Sequence, residues 1–139
     1  MVMDFGFIKQ LMMQEIHDPC DHGLILWAHD PHLEQMTDAQ ERYGGTTPWL
    51  KLYTMEDVPT AENLARHWYQ RMERAVRNYM QVALAQFPDQ EYPVLDAMIV
   101  HETPNSVATY SPGIEQRLAS LDPDMLARAV KPIIGIGGE

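Results

Sequence analysis

From Leu64 to Phe87 the apolar residues fall at steps of three and four: Leu64, Trp68, Met72, Val76, Tyr79, Ala83 and Phe87. This spacing draws one apolar stripe along a helix. Pro59 and Thr60 supply its opening, Glu62 in the first turn suits the positive end of the helix dipole, and Pro88-Asp89 closes it. At 1.5 Å per residue such a helix is about 40 Å long. A shorter helix is predicted ahead of it, capped by Asp4, with Phe5, Ile8, Leu11, Met12 and Ile16 at helical spacing. It ends near Asp18-Pro19, because proline disfavours helix in the residue before it.

After Tyr92 the period changes to two, with Val94, Asp96, Met98, Val100 and Glu102 on one side and Leu95, Ala97, Ile99 and His101 on the other. That pattern predicts a strand. Thr103-Pro104-Asn105 supplies turn chemistry and Ser106 to Tyr110 returns as a β-branched strand, so the pair forms a hairpin. Leu24 to Trp27 is an apolar run, and Trp49 to Thr54 alternates enough for a short strand. The stretch from His29 to Gly45 is polar and charged and reads as a surface insertion with Gly44-Gly45 as its breaker. Beyond Pro112 only a helix from Asp122 to Val130 and a glycine-rich end suggest themselves, so 1–112 is the domain and 113–139 a tail. The order helix, helix, strand, strand makes the fold class α+β. A lone hairpin is marginal in water, and helices with long apolar stripes need a wider sheet to cover them.

With 20 acidic against 10 basic residues the chain carries a formal charge of −10, which argues against a nucleic-acid partner. Its 139 residues make one domain. The arginines between Arg66 and Arg77 alternate with acids and apolar residues and read as a solvated helix face. The single cysteine, Cys20, forms no intrachain disulfide, and no apolar run has the length of a membrane span. A cytoplasmic protein is the expectation.

The candidate chemistry lies in three segments. Asp21-His22 sets a carboxylate beside an imidazole, the pairing that orients a general acid or base, although a solvated loop after a proline gives the same string. Thr60 and Glu62 are either helix-start residues or ligand-lining ones. Glu102 shares a strand face with Met98 and Val100, so its carboxylate needs partners if it is buried. His17, His22, His29 and His32 straddle a proline and a loop, which does not fix a tetrahedral metal face.

Met1-Val-Met-Asp-Phe-Gly6, Asp21-His22-Gly-Leu, Pro59-Thr-Ala-Glu-Asn63 and Val100-His-Glu-Thr103 occur in the order seen in the 6-pyruvoyltetrahydropterin synthase family. Residues 1–112 resemble it, most closely its bacterial 6-carboxytetrahydropterin synthase branch in queuosine biosynthesis. The resemblance implies a tunnelling-fold antiparallel sheet with two helices on one face, the first hairpin missing, and assembly into a hexamer-type homo-oligomeric ring. It implies a lyase acting on 7,8-dihydroneopterin triphosphate, with Asp21 and His22 as the catalytic dyad and Glu102 holding the pterin beside Thr60 and Glu62. The pocket would lie between subunits. Zinc is expected from the family, but the strand histidine, the cysteine and the His-x-His pair of its metal and nucleophile segment have no matching positions here. The chain is then read as a truncated reading frame or as a subunit whose partner supplies the rest. The alternative is a non-catalytic pterin-binding or assembly subunit, and a third reading is another pterin or purine reaction on the same fold.

Overall fold

A computed structural model describes residues 5–43, 51–86 and 93–113, together with the single positions 116 and 123. Apart from positions 116 and 123, the predicted helix over 122–130, the tail beyond 113 and the capping Asp4 lie outside the described residues. Helix α1 (Phe5–Met12) opens the described chain, passes into a π-helical segment at Met13–His17, and continues as the single turn α2 (Asp18–Cys20). The helical path thus ends at Cys20, close to the predicted Asp18-Pro19, with Pro19 itself inside the last turn. This proline lies in the first turn of α2, where its missing N–H is no loss, after the path has widened into the π segment, in which the Asp18 N–H reaches back to the carbonyl of Met13.

Next come β1 (Gly23–Trp27), α3 (Leu33–Tyr43), β2 (Lys51–Met55), α4 (Ala61–Gln86), β3 (Met98–Thr103) and β4 (Ser106–Tyr110). The chain is thus α+β. The predicted order of two helices and a hairpin is kept by α1, α4, β3 and β4, with α2, β1, α3 and β2 interposed. The expected loop from His29 to Gly45 is a helix over Leu33–Tyr43 instead. Asp30 explains it: its Oδ1 accepts the His32 N–H at 2.8 Å and its carbonyl the Leu33 N–H at 3.0 Å, with Pro31 between them. Leu33, Met36, Ala39 and Gln40 then form its half-buried side.

Strands β1 and β2 run parallel, Gly23 opposite Lys51 through Trp27 opposite Met55, whereas β3 and β4 form the antiparallel hairpin. These are two separate two-stranded sheets. Helix α4 packs across both strands of the hairpin and also touches α1 and the π segment. Its buried line is Ala65, Tyr69, Met72, Val76, Met80 and Ala83, rotated slightly from the predicted stripe. Leu64 and Trp68 are half-buried, and Tyr79 is 43% exposed with its ring 3.9 Å from that of Phe7. The core centres on Tyr69, Met72 and Met98, with Leu11, Ile16, Trp68, Leu95 and Tyr110 packed around them.

Strand β3 begins at Met98, later than the alternation from Tyr92 suggested. Pro93 has no N–H to give a ladder, and nearby backbone acceptors are taken by side chains: the Leu95 carbonyl by the Tyr69 hydroxyl at 2.9 Å, the Asp96 carbonyl by the Ser111 hydroxyl at 2.9 Å.

Candidate functional site

Asp21 and His22 sit on the turn between α2 and β1. Asp21 is extended (φ −61°, ψ 129°), and His22 has φ 53°, the only positive φ among described non-glycine residues. A side chain in that region costs of order 1 kcal/mol, and such residues gather where a side chain has to be aimed. Two hydrogen bonds hold the turn. The Asp21 N–H reaches the His17 carbonyl at 2.6 Å, and the Lys51 ammonium donates to the Asp18 carbonyl at 2.7 Å. Gly23 is needed for the close approach: a Cβ there would stand 3.0 Å from the Cys20 carbonyl oxygen and 3.1 Å from that of Lys51.

The Asp21 carboxylate lies between two imidazoles. Its Oδ2 is 3.8 Å from His22 Nε2 and its Oδ1 is 3.8 Å from His17 Nε2, while His17 Nδ1 is 3.4 Å from Asp18 Oδ1. The His22 ring is almost wholly open to solvent, at 93% exposure. It can meet a substrate without any of the described residues moving aside.

Thr60 caps α4, its Oγ1 accepting the Asn63 N–H at 3.3 Å and its carbonyl the Leu64 N–H at 2.8 Å. Glu62 is exposed, and its carboxyl is held below the usual range by its own backbone N–H and by the Thr60 hydroxyl. Both residues therefore do the work of a helix start whatever else they do.

Glu102 is exposed rather than buried. The pairing shifts register between His101 and Thr103, so Glu102 is the bulged residue, and strict alternation with Met98 and Val100 breaks there. Its Oε2 accepts the Ser106 hydroxyl at 3.2 Å across the turn, leaving Oε1 available. Among the described residues no hydrogen bond or ion pair links the Asp21–His22 turn with Thr60, Glu62 or Glu102.

Sequence reading missed a fourth constellation, half-buried between the π segment, β2 and α4. Arg71 donates to Glu15 Oε2 at 3.0 Å and to the Tyr53 hydroxyl at 3.2 Å, and its guanidinium carbon lies 5.8 Å from the Tyr53 ring centre. The Tyr53 hydroxyl is in turn 2.6 Å from His67 Nε2. Burial, reinforced by Arg71, lowers the His67 pKa, which favours a neutral imidazole beside the Tyr53 hydroxyl. Burial also pushes the Cys20 thiol up, against the pull of Arg71, Trp68 and Lys51, so it is no ready thiolate. Glu15 and Arg71 are separated by 56 positions, and only their charge hinted at a pairing.

Among the described residues no group of three or more His, Cys, Asp or Glu side chains could hold a metal ion, so these residues do not fit a zinc centre. No helix among them is long and apolar enough to cross a membrane.

The family model for 6-pyruvoyl tetrahydropterin synthase matches residues 1–113. The chain belongs to this family. Curated relatives named 6-carboxy-5,6,7,8-tetrahydropterin synthase include one from Aquifex aeolicus, 34% identical over 74 residues, covering 53% of this chain and 43% of the relative. Another, from Rickettsia conorii, is 39% identical over 67 residues, covering 48% and 44%. A third, from Rickettsia typhi, is 42% identical over the same length and shares. The matched part thus spans less than half the length of these family members. No solved structure matches the chain.

Proposed function

We propose that this chain carries part of the active site of a 6-carboxytetrahydropterin synthase-like lyase, acting on 7,8-dihydroneopterin triphosphate in the queuosine route to 7-deazapurines. The observation that carries the reading is the Asp21–His22 turn in a chain of this family, with His22 in a left-handed backbone and its ring turned open to solvent. Because Nε2 of His22 faces the Asp21 carboxylate, Nδ1 is the atom left to take a proton from the substrate side chain or return it. Asp21, facing Nε2 at 3.8 Å, biases the ring toward this orientation. Glu102, with Oε1 free, accepts paired N–H bonds from the aminopyrimidinone edge of the pterin. Thr60 and Glu62 line the same pocket.

No hydrogen bond or ion pair joins the Asp21–His22 turn to Thr60, Glu62 or Glu102 among the described residues, and in this reading the pocket forms where copies meet in a cytoplasmic homo-oligomeric ring. The outer side of the hairpin supports such a meeting, since Ile99 and Val107 are 55% and 51% exposed there. Incubation of the purified chain with 7,8-dihydroneopterin triphosphate, followed by chromatography of the pterins, tests the reading. The product is expected to disappear with His22→Ala, and Glu102→Gln to raise KM. Turnover that survives His22→Ala would remove the dyad. Pterin binding that needs Glu102 without any turnover would make the chain a binding or assembly subunit.

A further inference from the structure

The Asp21 carboxylate has two imidazole neighbours at equal distance, and only one of them, His22, has been given a role above. The other, His17, closes the π-helical segment, and its ring spans two carboxylates, with Nδ1 toward Asp18 and Nε2 toward Asp21. Its carbonyl accepts the Asp21 N–H, so backbone and side chain of one residue both engage Asp21. A carboxylate on a turn has a freely rotating χ1 and χ2 unless something fixes it. Here Oδ1 faces His17 and Oδ2 faces His22, each at 3.8 Å, a close approach short of a hydrogen bond that biases the carboxylate plane toward the His22 ring.

The geometry points to His17 as a positioning residue for the Asp21–His22 dyad: it holds Oδ1 of Asp21 so that Oδ2 orients the His22 ring, with Asp18 holding His17 from its far side. This rests on the dyad reading above. His17 touches no substrate. Its effect passes through Asp21, so it acts on the chemical step and not on pterin binding, and its loss lowers kcat with KM unchanged.

The test uses His17→Ala and His17→Gln in the full chain. Glutamine can place its amide nitrogen near the position of Nε2, so it donates to Asp21 without being an imidazole. His17→Ala is expected to lower kcat about tenfold at constant KM, and His17→Gln to restore most of it. Ring 15N spectra of His22 give a second readout that needs no turnover: a single Nε2–H tautomer in the wild type and in His17→Gln, and an averaged pattern in His17→Ala. Equal kcat in all three proteins, or a rise in KM alone, overturns the proposal. A His22 spectrum unchanged by His17→Ala also overturns it, and does so even if the wild type shows no turnover, the result that would sink the lyase reading instead.

Discussion

Arg71 is the side chain that ties the π segment to β2 and α4, and replacing it with methionine isolates what that tie contributes. The substitution keeps an unbranched stem of similar length and removes the guanidinium. Lost with it are the charged hydrogen bond to Glu15, worth about 1.5–3 kcal/mol when dry, and the bond to the Tyr53 hydroxyl, worth about 1 kcal/mol. Contact with the Tyr53 ring adds about 0.5 kcal/mol. Solvent discounts the first: the two side chains are 34% and 33% exposed, so about 1 kcal/mol is the better figure for the pair. Against these stands Arg71 Nε, buried without an acceptor among the described residues, whose removal gives back about 1 kcal/mol.

The net expectation for Arg71→Met is a loss of about 1–2 kcal/mol. A double-mutant cycle with Glu15→Gln, read by urea unfolding, separates the pair from the rest, and its coupling energy should be about 1 kcal/mol. A coupling below about 0.3 kcal/mol, the ordinary scatter of independent sites, would refute the claim that this bridge ties the π segment to α4.

Gly23→Ala is expected to destabilise by about 1–2 kcal/mol, since its Cβ would press on two backbone oxygens; thermal unfolding measures it, and an unchanged midpoint would show that the turn has slack. The pH dependence follows from His67, whose folded pKa lies below its ordinary 6.5 because of burial and Arg71. Above about pH 6.5 both folded and unfolded forms are neutral there and stability is intact. As pH falls below that value the unfolded chain takes up the proton first, so stability declines until the folded pKa is passed. His67→Gln should flatten this acid limb in urea titrations at several pH values, and Arg71→Met should lessen it by removing the second cause.

The long helix was legible because both its cap and its stripe are local: Pro59-Thr60 opens it and Met72, Val76 and Ala83 are buried as the spacing predicts. The hairpin was legible for the same reason, its strands meeting across Pro104-Asn105. Helix α3 escaped because Leu33, Met36 and Ala39 are set among charges, although Asp30-Pro31 was a readable start signal. The partner of β1 could not be read, since Leu24 to Trp27 says nothing of which strand lies beside it. For the site, Asp21 and His22 were found as neighbours in sequence, but His17 was set aside when the histidines were weighed as metal ligands. The exposure of Glu102 was hidden because a bulge leaves no mark in an alternating pattern.

The parallel pairing of Gly23 with Lys51 has a consequence for how the chain is made. During synthesis Leu24, Ile25, Leu26 and Trp27 emerge well before their partner strand, and the whole of α3 must be translated before the gap can close. A loop of that length sets an entropic toll on closure that the hairpin, joined by its short turn, escapes. The nascent protein therefore holds a bare apolar ribbon until Lys51–Met55 has followed it out of the ribosome, and the Asp21–His22 turn acquires its Lys51 latch only then.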